Sequence, residues 1–108
     1  MRPAACHPIY LYDQPVDMRK SFEGLSGLVE QSFPGHLLTG ALFLFLNRCR
    51  DRIKILSWED DGFAIWYKRL EQGTFPDSFH GRRQLSRQQF VMLLEGIVPK
   101  RLSRRFSL

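Results

Sequence analysis

A chain of 108 residues, 44% hydrophobic and 25% charged, has the size and balance of one globular domain with one core. Folding at this length buries about 65% of the unfolded surface, which leaves little chain for a deep substrate pocket and argues against an enzyme. The net charge of +5 is segregated: residues 1–81 carry nine Lys/Arg against ten Asp/Glu, whereas Arg82, Arg83, Arg87, Lys100, Arg101, Arg104 and Arg105 face Glu95 alone in the last quarter.

In chain order, Ile9 to Tyr12 is a short apolar and aromatic run between Pro8 and Pro15 and predicts one short edge strand. Asp17 reads as a helix N-cap whose carboxylate accepts from the N–H of Arg19 or Lys20. Met18, Phe22, Leu25, Leu28, Val29 and Phe33 follow in steps of three and four, the stripe of an amphipathic helix over about residues 17–32, ended by Pro34 and Gly35. Gly40 opens Ala-Leu-Phe-Leu-Phe-Leu, a continuous apolar run that predicts a central strand covered on both faces. Arg52 to Trp58 and Phe63 to Leu70 are two further strands. Asp61-Gly62 between them predicts a two-residue hairpin loop pairing Trp58 with Ile65, Leu56 with Tyr67 and Lys54 with Arg69. Residues 71–83, with Gly73, Pro76 and Gly81 and no periodicity, read as a long loop.

The second helix has a sharp start, with Ser86 as N-cap, Gln89 at the capping-box position and Leu85 against Phe90 as a hydrophobic staple. Gly96 is placed as its C′ residue, with Pro99 just beyond. The expected fold is therefore α+β in the order β-α-β-β-β-α, with a single domain over residues 1–99 and a flexible basic tail over 100–108.

The charge asymmetry points to a polyanionic partner, nucleic acid first, whose attraction salt would weaken; a solubilising tail is the plainer alternative. The predicted hairpin sharpens this, because one of its faces carries Arg52, Lys54, Leu56, Trp58, Phe63, Ile65, Tyr67 and Arg69. Arg48 and Arg50 continue the period-two series if the preceding turn stays extended. Cations beside aromatic rings suit single-stranded nucleic acid, the cations meeting phosphates and the rings stacking on bases. The candidate nucleic-acid contacts are thus Arg48, Arg50, Arg52, Lys54, Arg69, Lys100, Arg101, Arg104 and Arg105. In the competing reading the aromatics simply pack under a helix or a second subunit. Two helices would not fully cover a sheet that is apolar on both faces, which leaves room for a homodimer or a protein partner. Arg19 and Lys20, opposed to the dipole of the first helix, and Trp58 and Tyr67 on the sheet are the candidate partner contacts.

Other chemistry finds little support. Glu59, Asp60 and Asp61 are adjacent in a tight turn and do not converge on one ion, and His7, His36, His80, Cys6 and Cys49 lack zinc-ligand spacing. Cys49 between two arginines has no catalytic partner, and no phosphate loop, nucleophile elbow or zinc-protease motif occurs. No metal and no cofactor is expected. Nothing ahead of Cys6 has the length of a signal peptide, and the apolar run from Ala41 to Leu46 falls far short of the roughly 20 residues that cross a bilayer. A reduced cytoplasmic protein is the expectation.

Three stretches together resemble one family. They are Val16-Asp17-Met18-Arg19-Lys20-Ser21-Phe22-Glu23-Gly24-Leu25; the run from Gly40 through Ile53-Lys54-Ile55-Leu56 and Asp61-Gly62-Phe63 to Lys68-Arg69-Leu70-Glu71-Gln72-Gly73-Thr74-Phe75; and Leu93-Leu94-Glu95-Gly96-Ile97. They resemble the TnpB accessory protein, the second reading-frame product of insertion sequences of the sixty-six type, over about residues 9–98. The resemblance implies a bacterial mobile-element protein encoded beside a DDE transposase, assisting transposition without an assigned enzymatic activity. Asp17, Met18, Arg19, Lys54, Gly62, Lys68, Arg69, Leu70 and Gly73 fall on positions characteristic of that family, and the resemblance transfers no catalytic role to any of them. Ser57, where an aromatic is expected, and the Pro76–Gly81 loop depart from the pattern. The expected function is a non-enzymatic accessory factor that binds DNA. Its alternative is an interaction module that docks on the transposase or another element-encoded protein.

Overall fold

The central run Leu42-Phe43-Leu44-Phe45-Leu46 sorts its side chains by the period of a strand, and the rest of the molecule is arranged around that sorting. The computed structural model describes residues 7–99. Its elements are β1 (Ile9–Leu11), α1 (Phe22–Ser32), β2 (Leu42–Leu46), β3 (Arg52–Trp58), β4 (Phe63–Arg69), β5 (Gln84–Leu85) and α2 (Arg87–Glu95). They form one five-stranded mixed sheet in the order β4-β3-β2-β1-β5 with two helices, an α+β fold in the expected element order apart from the added β5. β1 runs parallel to β2, with Ile9 opposite Leu42 and Leu11 opposite Leu44; β2–β3, β3–β4 and β1–β5 are antiparallel. Parallel pairing requires a long crossover, which α1 supplies.

Leu42 and Leu44 enter a core with Ile9, Leu11, Ile53, Ile55, Phe75, Phe79, Leu85, Phe90 and Leu93, roofed by α2 and the loop before it. Phe43 and Phe45 enter a second core with Val16, Leu25, Val29, Phe33, Ala41 and Leu56, roofed by α1. The central strand is thus covered on both faces, as its unbroken apolar run predicts. On the α1 side, Tyr10 stacks on Phe43 at 5.6 Å between ring centroids and lies 4.9 Å from Phe33. Close aromatic pairs of this kind add to the area they bury.

Several expected boundaries move. α1 starts at Phe22 with Ser21 as N-cap, five residues later than expected, because Asp17 closes a turn of its own: its Oδ1 accepts from the Arg19 N–H at 2.9 Å, and the Lys20 N–H donates to the Asp17 carbonyl. Arg19 and Lys20 therefore lie before the helix and not in its first turn. In the hairpin, Trp58 pairs with Phe63, Leu56 with Ile65, Lys54 with Tyr67 and Arg52 with Arg69. The loop consists of Asp60 and Asp61, flanked by a bond from the Glu59 N–H to the Gly62 carbonyl, and Asp60 takes the positive φ of 69°. The shift moves each residue's partner by two positions, so the predicted face survives intact.

The 71–83 segment is not free of pairing. Gly73, at φ 81°, lets Thr74 and Val98 exchange both backbone bonds, and a Cβ there would lie 2.6 Å from the Val98 carbonyl oxygen. Phe75 and Phe79 from this segment are core residues. The capping box of α2 forms as predicted, Ser86 Oγ accepting from the Gln89 N–H while Gln89 Oε1 accepts from the Ser86 N–H. Gly96 is the C-cap at φ −84° and not a left-handed C′ residue; a Cβ would meet the Met92 carbonyl oxygen at 2.7 Å. Among the described residues no helix is long and apolar enough to cross a membrane.

Candidate nucleic-acid interface

Three local structures converge at one end of the α1 face. The first is the 17–20 turn. Arg19 Nη2 lies 2.7 Å from Asp17 Oδ2 and its Nε donates at 3.1 Å to both carboxylate oxygens, while the Arg19 side chain remains 92% exposed. These side-chain bonds from Arg19, and then its backbone N–H, lower the Asp17 carboxyl from its ordinary 3.8 to about 2; Asp17 in turn raises Arg19.

The second is the β2–β3 turn, folded by Asn47. Its Oδ1 accepts from the N–H groups of Asp51 and Arg52 at 3.1 and 3.0 Å, and its Nδ2 donates to Asp51 Oδ1 at 2.7 Å. The turn is therefore closed rather than extended, and the period-two series does not run back from Arg52 to Arg50. Arg50 adopts a positive φ of 55°, its Nε donates to the Phe75 carbonyl at 3.3 Å, and its Nη1 lies 3.9 Å from Asp77 Oδ2. Its side chain is committed to the 75–77 loop, away from the sheet face on which it was expected. Arg48 and the exposed free thiol of Cys49 stand on the outer side of the turn.

The third is the basic end of the hairpin. Arg52 and Arg69 are directly opposite each other on neighbouring strands, an arrangement of like charges that opposes strand pairing. Arg52 Nη1 donates to the Tyr67 hydroxyl at 3.4 Å, and Arg69 Nη2 lies 3.4 Å from an exposed Glu71 carboxylate.

Together these pieces border an open groove of about 670 Å³, with Arg19, Arg48, Cys49, Arg52 and Tyr67 among its lining residues. Arg69 stands beside Arg52 at its rim. Lys54 is not a groove cation. At 9% exposure, its ammonium donates to the Lys20 carbonyl at 2.7 Å and sits 4.8 Å from the Tyr67 ring centroid. It fastens the 17–20 turn to β3, and so positions the groove wall instead of offering a charge to a ligand.

The expected partner set divides. Tyr67 and Arg19 line the groove, with Lys20 exposed in the same turn as Arg19, whereas Trp58 lies at the far end of β3 with its ring edge against Phe63, 5.0 Å between centroids. Arg83, counted in the basic excess of the last quarter, donates to the Ser32 carbonyl at the end of α1 and stacks 4.7 Å over Phe33, a structural use. Lys100, Arg101, Arg104 and Arg105 lie outside the described residues. Among the described residues, no group of three or more His, Cys, Asp or Glu side chains could hold a metal ion.

The sequence profile of the family described as IS66 Orf2 like protein matches residues 7–104. The chain belongs to the IS66 Orf2-like family. Similarity extends to the uncharacterized protein y4jC of Sinorhizobium fredii, 30% identical over 99 residues, which span 90% of this chain and 85% of that one. The uncharacterized protein y4hO of the same organism is 32% identical over 83 residues, 75% of this chain and 72% of that one. No solved structure matches. An IS66 Orf2-like chain is an insertion-sequence accessory protein, and the family is not a known enzyme family. Against the expected family pattern, Ser57 is buried on the α2 face of β3, opposite Leu42, where a larger side chain would have added to the core.

Proposed function

We propose that this IS66 Orf2-like protein acts in insertion-sequence transposition by binding DNA through its phosphates, with the groove between the 17–20 turn and the β2–β3 turn as the binding surface. The observation that carries the reading is the facing pair Arg52 and Arg69, with Arg48 and Arg19 at the same groove. Like charges placed opposite each other weaken the sheet, and an anion between them turns repulsion into attraction. Tyr67, 48% exposed beside these cations, supplies a ring on which an unpaired base stacks. Lys100, Arg101, Arg104 and Arg105 extend the positive field along the chain. The reading requires no bond to be made or broken by this chain.

The test is a fluorescence-anisotropy titration of labelled single- and double-stranded DNA at several salt concentrations. It compares the full chain, a chain ending at Pro99, and the full chain carrying Arg48→Ala, Arg52→Ala and Arg69→Ala together. Removing one cation from a phosphate lowers the slope of log affinity against log salt by about 0.7 to 0.9. The triple variant is expected to reduce the slope by two to three such steps; affinity and slope unchanged by it would sink the groove as the DNA-binding surface.

A second reading, docking on the transposase, draws on the outer side of α2, where Val91 and Met92 are exposed beside Pro76 and Phe79. It predicts co-purification with the co-expressed transposase that Met92→Glu abolishes while DNA affinity stays constant.

A further inference from the structure

The two edges of the sheet are unlike. β5 is two residues long, a short edge that gives another strand little to pair with. β4 is seven residues long, contains no proline, and pairs with β3 in an unbroken register without a bulge. The bonds from Glu59 N–H to Gly62 O and from Leu70 N–H to Asp51 O fix the phase of that ladder. Because antiparallel pairs alternate, Gly62, Ala64, Trp66, Lys68 and Leu70 exchange bonds with β3, and Phe63, Ile65, Tyr67 and Arg69 turn their N–H and C=O groups to the open edge. Both helices are already committed to the sheet faces, so the partly buried Phe63, Ile65 and Trp66 are left to be covered from the side.

The charge along this edge is ordered. Glu59, Asp60 and Asp61 stand at its start, and Lys68 and Arg69 at its end, with Glu71 just past the strand against Arg69. An antiparallel copy of the same edge brings the acidic end of one chain to the basic end of the other, twice, about a two-fold axis near Ile65 and Trp66. A parallel copy would align like charges. The edge is therefore self-complementary in hydrogen bonding, in apolar surface and in charge, which is the requirement for an isologous interface.

We propose that the protein forms a homodimer by antiparallel pairing of β4 with β4 of a second copy, making one continuous ten-stranded sheet. Side chains of directly paired residues lie on the same face, so both α1 helices and both basic grooves come to the same side of the dimer. The dimer does not require that the grooves bind DNA, although Arg69 belongs both to the edge and to the groove rim.

Sedimentation equilibrium of the full chain over a wide concentration range is expected to approach twice the 12.7 kDa of one chain. The variants Asp60→Lys with Asp61→Lys, and Lys68→Glu with Arg69→Glu, each make the edge repel its own copy. Each should raise the dissociation constant about tenfold or more. The fourfold variant, which exchanges the two ends, should restore it. These are exposed positions, and thermal melts check that the monomeric forms stay folded. A chain that remains monomeric throughout, or charge-exchanged variants whose effects fail to cancel, would overturn the proposal, as would a second chain of different sequence found to be needed for assembly. A chain that dimerises but never binds DNA would count against the groove alone.

Discussion

The two faces of the sheet come from the same strands by simple alternation, yet they end differently. Under α2, strand residues meet Phe75, Phe79, Phe90 and Leu93 in a core where the hydroxyl of Ser57 is the polar side chain buried among the strand residues. Under α1, the series Leu56, Lys54, Arg52 leaves the core by degrees, from a fully buried aliphatic side chain to a satisfied ammonium to a guanidinium at the groove. The difference follows from what covers the strands beyond each helix, since α2, at nine residues, is the shorter of the two and is completed by Phe75 and Phe79 of the preceding loop. α1 spans 11 residues and begins only at Phe22, so the strand ends beyond it are covered by a turn that brings polar groups and cations. A helix that stops short of its sheet leaves space for a site, while the completed face supplies the stability that holds it.

Three substitutions or conditions separate these roles. Phe75→Ala empties a fully buried position on the α2 side and should cost about 3–5 kcal/mol, read from urea unfolding. At concentrations where the chain still folds, the salt dependence of DNA binding should not change. Lys54→Met keeps the stem and removes the bond to the Lys20 carbonyl; about 1 kcal/mol of stability should go. DNA affinity should fall several-fold although this ammonium is turned away from ligand, and unchanged affinity would show that the 17–20 turn needs no fastening. The smallest effect belongs to Asp17. Its folded-state carboxyl lies below its ordinary value, so its stabilising bonds to Arg19 are fully present above about pH 4 and are lost as pH falls through about 2. Carbon-detected NMR titration of the Asp17 carboxyl should give that midpoint, and Arg19→Ala should return it toward the ordinary range.

Much of the fold is legible in the sequence wherever one short-range pattern decides the outcome. The alternating Leu and Phe of β2 had to be central, and Ser86 with Gln89 had to start a helix, because each satisfies its own geometry without help from afar. Asp17 misleads for an equally local reason: a carboxylate able to cap a helix can also close a turn, and Arg19 two residues on favours the turn. The hairpin loop shifts by one position because Asp60, not Gly62, takes the left-handed conformation. β5 is too short to show a period, and Phe75 and Phe79 sit in a segment without one. Two phenylalanines four apart in an otherwise polar loop were the available sign that it is pinned to the core. The groove itself could be read only in pieces. Arg19, Arg48, Arg52 and Tyr67 stand out singly, but their meeting depends on a lysine-to-carbonyl bond across 34 residues.

The strand order also constrains how the chain assembles as it is made. β1 is synthesised early yet lies between β2 and β5, and its outer neighbour arrives only with residues 84–85. The β2–β3–β4 meander, whose partners are adjacent in sequence, can close first, and β1 with α1 must then dock across a long loop. Until Leu85 pairs with Ile9 and the Leu11 N–H finds the Arg83 carbonyl, β1 itself stands as the edge opposite β4. A chain cut before residue 84 would therefore keep β1 unpaired on its outer side and leave the sheet open to pairing with its neighbours.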